Sequence, residues 1–354
     1  MQQTGISNWD IEVFQRNFWL PNTVRNFVLA AILSAPLIWA MSDGAIYSLI
    51  DFPNHLVKAE ILENILYGGA LGKFFELRPL IPPYESFDAL YLFLRFFFNG
   101  QISESIIISA VVVLPTLGAF CLSRHVSGRV SMVAWAAVFV GFNSVVRWGF
   151  FNYLPAVYLV PFALIAWDRF WLKRQVFDFA FYFFLSLACY LGHFFSFFLL
   201  GLLIGARLIE ECYQTRRVHW RAVAASVAPL AVAIPHALLF FSQPIYVGPT
   251  STRFEWAFKW HMLSAPFETF GGRLDQLITY IIYLTLASGF LLGYFKIRSG
   301  WRLPAVVLIV ASVFLPHMLE GWWSVDDRVP PLAAIILLGV IEVRPVPHRL
   351  IEAG

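Results

Sequence analysis

The sequence predicts an all-α polytopic membrane protein, and its composition, apolar run lengths and charge placement all point to that class. Of the 354 residues, 59% are hydrophobic and only 13% are charged, whereas soluble domains carry about 25% charged residues. The apolar residues form runs close to the length of about 20 residues that crosses a bilayer as a helix. Most Lys and Arg residues lie in alternate connections between these runs, the pattern that orients membrane helices.

The first element is amphipathic and does not predict a span. Trp9 and Phe14 lie among polar and charged residues such as Asp10 and Arg16. This pattern is typical of a helix that lies in the headgroup region. Residues 1–25 are therefore predicted to form an anchor at the cytoplasmic face.

About ten transmembrane helices are predicted next, in a transmembrane domain at residues 26–342. Several apolar runs are shorter than an average bilayer is thick, which indicates burial within a bundle or local thinning of the membrane. A cytoplasmic tail is expected at residues 343–354. The predicted spans are 26–42, 105–122, 131–146, 150–167, 177–191, 194–209, 222–241, 277–295, 303–319 and 329–342.

The basic residues predict that both termini lie inside, because Lys and Arg near span ends are held on the cytoplasmic side. Arg16 and Arg25 precede the first predicted span, and Arg344 follows the last. The remaining basic clusters then share that side. They are Arg124 with Arg129, Arg169 with Lys173 and Arg174, Arg216 with Arg217 and Arg221, and Lys296 with Arg298 and Arg302.

Residues 177–209 form either one very long helix or two short ones, and the charge pattern distinguishes these alternatives. A single crossing would move the basic residues at 215–221 and every later cluster to the opposite side. A tight reversal at Gly192 and His193 is therefore predicted. It places His193 at the outer surface.

The outer face receives two long segments, residues 43–104 and 242–276. The first contains eight acidic and four basic residues, the reverse of the inner connections. Its apolar stretches are too short or too interrupted to span, so they predict interfacial helices that form a platform. The acids are Asp43, Asp51, Glu60, Glu63, Glu76, Glu85, Asp88 and Glu104, and the bases are Lys58, Lys73, Arg78 and Arg95.

The stretch DFPNHL, which begins at Asp51, lies just outside the first predicted span. It brings a carboxylate, an amide and an imidazole together, from Asp51, Asn54 and His55. Asp51 or Asn54 could cap the following helix, whose amino end also suits an anion. Asp51 could instead be a catalytic carboxylate, and the stretch alone leaves both interpretations open.

Further polar residues are predicted on the same outer face, so a cluster is expected there. Taken singly, His193 also fits a turn residue, and Asp327 with Arg328 fits a salt bridge at a span end. Asn152 fits a hydrogen bond to a neighbouring helix, and residues 255–261 fit another interfacial helix or a sugar-stacking surface. The candidate site residues are Asp51, Asn54, His55, Lys58, Arg147, Asn152, His193, Glu255, His261, Asp327 and Arg328.

Several other classes of function are disfavoured by composition. Cys121, Cys189 and Cys212 show no CxxC spacing, so neither a disulfide framework nor a thiolate metal site is predicted. The net charge of +3 is small, and the basic residues are scattered in short clusters. The sequence therefore shows no basic patch of the kind that binds nucleic acid. A Gly-rich phosphate loop after a strand is also missing from the sequence, which disfavours a cytosolic sugar-nucleotide donor.

Several features occur together along this chain: DFPNHL after the first span, a broad interfacial segment, GFFNYL, a double span broken at His193, and DDR before the final span. This arrangement resembles bacterial integral membrane glycosyltransferases of the GT-C fold over most of the chain. The resemblance implies a polyprenyl-phosphate-linked sugar as donor, a glycan, lipid or protein as acceptor, and an inner-membrane protein whose active face is periplasmic. Asp51 takes the position of the family's acidic residue in the first outer loop, which serves as catalytic base or supports the acceptor.

The chemistry of such a transfer can be assigned to residues. A hydroxyl that attacks a sugar needs a base for its proton, and the departing phosphate needs fixed cations. Asp51 fits the base, and Arg328 fits the cation, with Arg147 or Lys58 as alternatives. The imidazoles of DFPNHL and of the span break could donate hydrogen bonds to the phosphate or the sugar.

The chain departs from the family pattern in two places. Residues 51–52 hold a single acid instead of an adjacent acidic pair, so Mg²⁺ or Mn²⁺ is expected only if Asp51 itself binds the ion. Little sequence follows the tenth predicted span, which fits a compact member of the family or one that acts with a partner subunit.

A transporter or a flippase for lipid-linked substrates is the alternative from another class, because ionisable residues inside a membrane often mark a translocation path. His236 beside Pro235 and His317 beside Pro316 suit that interpretation best. Related halves with broken spans would support it, but the sequence shows no convincing internal repeat. An inactive scaffold with the same fold is a third alternative.

Overall fold

The computed structural model describes residues 21–42, 49–77, 80–242, 251–268, 272–319 and 322–344, and these are mostly helical, as predicted. Three of the described helices are long and apolar enough to cross a membrane by length and composition, namely Gly100–Ser127, Trp220–Phe241 and Arg273–Leu291. Shorter apolar helices are Val24–Pro36, Met132–Trp148, Val176–Gly192, Arg302–Phe314 and Val329–Val340. The protein is membrane-associated, and the number of ten spans stays a prediction.

The predicted anchor and tail lie mostly outside the described residues. Of residues 1–25, the structure describes 21–25, which begin the first helix. Of residues 343–354, it describes 343–344. The roles of both terminal segments therefore stay predictions.

The described elements follow one another as helices joined by short connections and two small strand pairs. The α-helices are α1 (Pro21–Ser42), α2 (Phe52–Leu66), α3 (Ser86–Arg95), α4 (Gly100–Ser127), α5 (Ser144–Trp148), α6 (Leu154–Val157), α7 (Val160–Lys173), α8 (Val176–Gly192), α9 (Phe194–Thr215), α10 (Trp220–Val227), α11 (Leu230–Phe241), α12 (Lys259–Ser264), α13 (Arg273–Leu291), α14 (Arg302–Phe314) and α15 (Val329–Val340). The 3-10 helices are Ala70–Lys73, Met132–Val140, Trp256–Phe258 and Ala265–Phe267. The strands are β1 (Phe295–Ile297), β2 (Met318–Leu319), β3 (Trp322–Trp323) and β4 (Ile341–Val343).

The first outer segment forms helices where its apolar stretches predict them. Helices α2 and α3 pack together, and Arg95 Nη2 of α3 lies 3.0 Å from Glu63 Oε1 of α2. Phe87 and Tyr91 of α3 are buried in the same core as Phe52. The two helices thus form a platform whose charged residues pair with each other.

Three predicted spans are not single α-helices. Residues 222–241 are divided into α10 and α11. Residues 131–146 form a 3-10 helix followed by α5, because the Asn143 side chain accepts hydrogen bonds from Val145 N and Val146 N and so starts a new helix. Residues 150–167 are divided into α6 and α7. Each of these helices has a proline in its first turn. Proline is tolerated there because a backbone N–H at that position has no partner within the helix.

Helix α15 lies at the centre of the bundle. Nearly all of its 12 residues are buried, and it packs against α4, α14 and the Met132–Val140 helix. This helix is about 18 Å long, shorter than the roughly 30 Å of a bilayer's hydrocarbon core. Burial among other helices explains why so short a helix is found where a full span is predicted. The chain then enters β4, which pairs antiparallel with β1, so the predicted spans 277–295 and 329–342 extend too far at their carboxyl ends.

The predicted break at Gly192 and His193 is present. Helix α8 ends at Gly192 and α9 begins at Phe194, with His193 extended between them at φ −166° and ψ 119°. The His193 side chain accepts a hydrogen bond from Phe195 N and caps α9. A Cβ at Gly192 would lie 2.8 Å from the Ala156 side chain, so glycine allows the turn to pack closely on α6.

The DFPNHL stretch is held against the end of α5 by its backbone. Asp51 N donates a hydrogen bond to Trp148 O at 2.9 Å. Gly149 follows with a φ of +81°, and a Cβ there would lie 2.5 Å from Phe52 N. The close approach and the left-handed conformation both require glycine, and together they fix where Asp51 stands.

Replacing Gly149 by Ala is expected to destabilise the protein by clearly more than the roughly 1–2 kcal/mol that a left-handed conformation alone costs, since the added methyl group also collides with the backbone beside Asp51. Gly128→Ala is the matched control, because Gly128 has a φ of +73° but open space around its Cβ position. Thermal unfolding of both variants in detergent measures the difference. Equal shifts in the midpoint temperature would contradict the proposed backbone contact.

Candidate functional site

Asp51 occupies the position before α2, but its side chain does not cap that helix. The carboxylate instead accepts a hydrogen bond from Asn54 Nδ2 at 2.9 Å and lies 3.2 Å from His55 Nε2. The Asp51 side chain is 37% exposed, so an incoming hydroxyl can reach it. Of the two interpretations of DFPNHL, the described geometry leaves the carboxylate available for chemistry.

Arg328 stands before α15 and is held among aromatic rings. Its Nη1 lies 3.1 Å from His193 Nε2, and its guanidinium carbon lies 4.6 Å from the Phe150 ring centroid and 5.5 Å from that of Tyr153. The Tyr153 hydroxyl donates a hydrogen bond to Arg328 O at 2.8 Å. These contacts fix the guanidinium without neutralising it.

The His193 imidazole supports Arg328 in its uncharged form. One ring nitrogen faces Phe195 N at 3.2 Å and the other faces Arg328 Nη1 at 3.1 Å, so two N–H donors point at the ring. Burial lowers the pKa of His193 well below its usual value, and the charge of Arg328 lowers it further. A neutral imidazole has only one acceptor nitrogen, so His193 accepts a hydrogen bond from one of these two donors at a time.

The two pairs, Asp51 with His55 and His193 with Arg328, act on each other electrostatically. Burial lowers the pKa of Arg328, while the negative charge of Asp51 is among the influences that raise it. We call these four residues the Asp51–Arg328 cluster.

Within this cluster the positive charge of Arg328 is not matched by a direct ion pair. No carboxylate of the described residues lies within ion-pair distance of its guanidinium, and its buried Nε has no hydrogen-bond partner among them. Arg328 is half-buried, and a partly desolvated charge without a direct partner is unfavourable. An anion placed beside Arg328 would therefore bind favourably.

The two other cations proposed for phosphate binding already have acidic partners. Lys58 Nζ lies 2.7 Å from Glu85 and 2.8 Å from Asp88, and Arg147 Nη1 lies 2.9 Å from Glu268. Burial raises the pKa of Glu85 to about 8, with a further contribution from Asp88. Lys58 and Arg147 thus hold the outer segments together, and Arg328 is the better candidate for an anion.

A second polar group adjoins the Asp51–Arg328 cluster and connects the loop at 251–268 to the chain before α15. Lys259 Nζ lies 2.5 Å from Asp326 Oδ2, and His317 Nδ1 lies 3.0 Å from Asp326 Oδ1. Asp327 follows directly and hydrogen-bonds with Ser324. His317, one of the two histidines that best suited a transporter, therefore belongs with the polar residues that precede α15.

The remaining candidates take different positions. Asn152 accepts a hydrogen bond from Ser86 Oγ at its backbone oxygen, and its buried Oδ1 has no partner among the described residues. Glu255 is half-buried before a 3-10 helix, and His261 is exposed on α12. In this loop Lys259, not Glu255 or His261, makes the ion pair with Asp326.

The donor set fits a divalent metal poorly. In the described part of the chain, one group of three potential ligands lies close together, formed by His317, Asp326 and Asp327 within 4.8 Å. The Lys259 ammonium already binds one oxygen of Asp326 and takes the place of a cation. Asp51 has Asn54 and His55 beside it and is not part of that group, so no step of the chemistry is assigned to a metal.

Sequence patterns did not reveal the pairing of Lys259 with Asp326 or the support that Tyr153 gives to Arg328. Both contacts join residues more than 60 positions apart, so local spacing carries no signal of them. The one hint was the apolar surroundings of Lys259 in FEWAFKW, since a lysine among aromatic residues is usually paired when buried.

Asp327 is expected to make the folded protein less stable as the pH rises from about 4 to about 6. Burial and the neighbouring Asp326 raise its pKa to about 6, so the unfolded chain loses this proton first and is favoured across that interval. Asp327→Asn should remove this decline. Midpoint temperatures of both proteins between pH 4 and 7 test it, and parallel curves would contradict the expectation.

Comparison with protein-family models, curated proteins and solved structures finds no match to this chain.

Proposed function

We propose that this protein is a membrane glycosyltransferase of the GT-C type, which transfers a sugar from a polyprenyl phosphate to an acceptor at the outer face. The observation that carries the proposal is the Asp51–Arg328 cluster. It combines a partly exposed carboxylate with a half-buried guanidinium, whose Nε is buried and which lacks a direct ion pair among the described residues. This is the pair of charges that transfer from a lipid phosphate to a hydroxyl needs.

In the proposed reaction Asp51 removes the proton of the acceptor hydroxyl. The hydroxyl oxygen forms a bond with the anomeric carbon of the sugar, and the bond between that carbon and the phosphate oxygen breaks. The electron pair stays on the departing phosphate, where Arg328 stabilises it. Asn54 Nδ2 binds the Asp51 carboxylate and keeps it oriented toward the acceptor.

His55 and His193 act as positioning residues in this proposal. Burial lowers the pKa of His55, and its positive neighbour Lys58 lowers it further, against the charges of Asp51 and Asp88. A neutral His55 does not form an ion pair with Asp51. A neutral His193 likewise does not compete with the phosphate for Arg328.

The proposed active face is periplasmic and the membrane is a bacterial inner membrane. Support comes from the distribution of charge, because Lys58, Arg147 and Arg328 of the predicted outer face have contacts with that face's acids or aromatic rings. The basic clusters of the predicted inner face lie elsewhere in the bundle, as Lys296 and Arg298 do beside Glu342. The donor sugar, the acceptor and a partner subunit belong to the same proposal.

The proposal is tested by reconstituting the purified protein in vesicles with radiolabelled polyprenyl-phosphate sugars of several types and with membrane extract as the source of acceptor. Transfer of label from the lipid to a new product supports the proposal. Movement of labelled lipid between the leaflets without a new product would contradict it and favour a flippase. Neither transfer nor movement, in a protein that binds no donor, would favour an inactive scaffold.

A further inference from the structure

A separate cavity of about 650 Å³ lies at the opposite end of the bundle from the Asp51–Arg328 cluster. Helix α4 has 28 residues, about 42 Å in length, and its last residue lines the cavity while its first faces the α2–α3 platform. Helix α15 likewise begins beside Arg328 and ends beside the cavity. Its lining residues are Ser127, Arg129, Val130, Ser131, Met132, Lys296, Glu342, Val343 and Arg344.

The charges around this cavity are mainly positive. Arg129 and Arg344 are exposed, and no acid of the described residues forms an ion pair with either. Lys296 and Arg298 share a single acid, Glu342, at 2.8 Å and 2.7 Å. The lining therefore holds three bases, Arg129, Lys296 and Arg344, and one acid, Glu342, which leaves an excess of positive charge for an anion to meet.

The loop at one side of the cavity is held in a fixed conformation. Ser131 N donates a hydrogen bond to Ser123 Oγ at 2.8 Å, and Gly128 takes a left-handed conformation, with a φ of +73°, at the end of α4. Ser127 places a buried hydroxyl in the lining that has no partner among the described residues. A rigid loop with an unpaired hydroxyl favours ligand binding, because little conformational entropy of the loop is lost when the ligand binds.

An exposed apolar surface leads away from the cavity. Met132 lines the cavity and is 83% exposed, and it is followed along the same 3-10 helix by Trp135 at 40% and Phe139 at 46%. Met132 and Trp135 are one turn of the 3-10 helix apart and therefore share one face, and Phe139 extends the apolar surface beside them. A ligand with a charged head and a hydrocarbon tail fits this combination, whereas a small soluble anion would use only the charges.

We propose that this cavity binds the phosphate headgroup of an anionic phospholipid, whose acyl chains lie along the exposed face of Met132 and Trp135. Arg129, Arg344 and the Ser127 hydroxyl bind the phosphate. Basic cavities between helices on the cytoplasmic side are suited to such headgroups. The site is independent of the proposed sugar transfer and would stabilise the inner end of the bundle.

Native mass spectrometry of the delipidated full-length protein tests this site. The protein is titrated separately with phosphatidylglycerol, phosphatidylcholine and inorganic phosphate. Wild type is expected to bind phosphatidylglycerol more tightly than phosphatidylcholine. The double variant Arg129→Gln/Arg344→Gln should lose on the order of 10-fold in phosphatidylglycerol affinity, since each base contributes severalfold, and should retain its phosphatidylcholine affinity.

The control is Arg217→Gln/Arg221→Gln, which removes two exposed bases from the same predicted face outside the cavity. This control should leave the preference unchanged, and Arg344→Gln alone should give an intermediate loss. Equal losses in both double variants would overturn the site, as would equal binding of the two lipids by wild type. Binding of inorganic phosphate that depends on Arg129 and Arg344, without preference for phosphatidylglycerol, would show a soluble anion as the ligand and overturn the lipid assignment.

Discussion

Replacing Asp51 by Asn is expected to abolish sugar transfer while the protein still folds and binds its donor. The change removes the base but keeps the size of the side chain and its contact with Asn54. General-base catalysis contributes about 100- to 10,000-fold to a rate, so the turnover number should fall by that order. The donor's dissociation constant should change little, because Asp51 lies beside the acceptor in the proposed reaction.

The structure separates this effect from a loss of folding. The Asp51 side chain does not cap α2, so its replacement should not shorten that helix. Glu60→Gln is the matched control, since Glu60 is an exposed acid on the same helix. Turnover, donor binding and midpoint temperature should be measured for both variants. Retained turnover in Asp51→Asn would exclude Asp51 as the base, and an equal loss in Glu60→Gln would indicate a general effect of surface charge.

The sequence could predict those features that depend on local pattern or on the side of the membrane. Charge alternation required a reversal at Gly192 and His193, and the chain does break there. The same topology assigned Asp51, His193 and Arg328 to one face, and the structure brings them into one cluster. Such predictions succeed because successive connections must lie on alternate sides of the membrane, a constraint that applies along the whole chain.

Contacts between distant segments could not be predicted in this way. The pairing of β1 with β4 joins residues at the ends of two predicted spans. Hydropathy did not predict these strands, because a short apolar strand and a buried helix have similar composition. The partners of Lys58 and Arg147 depend on how α3 and the loop at 251–268 fold back. The sequence favoured Arg328 as the cation and left Lys58 and Arg147 as alternatives, and the acidic partners of those two residues now distinguish Arg328 from them.

Replacing Lys259 by Met is expected to destabilise the protein strongly. Lys259 Nζ lies 2.5 Å from Asp326 Oδ2, and the two side chains are 9% and 0% exposed. Removing one partner of a buried ion pair leaves an uncompensated charge and typically costs about 3–5 kcal/mol. The loop at 251–268 should then detach from the chain before α15, and the midpoint temperature in detergent should fall sharply.

A second replacement shows whether the missing charge balance causes this loss. In Lys259→Met/Asp326→Asn both charges are gone, and the amide can still bind His317, so most of the lost stability should return. Lys296→Met is the matched control, because Lys296 also pairs with a carboxylate but is 41% exposed, and exposed pairs contribute about 0–1 kcal/mol. If Lys259→Met and Lys296→Met unfold at the same temperature, the ion pair is not what holds the loop. If the double variant is no more stable than Lys259→Met, the packing of the lysine stem, and not its charge, connects this loop to Arg328.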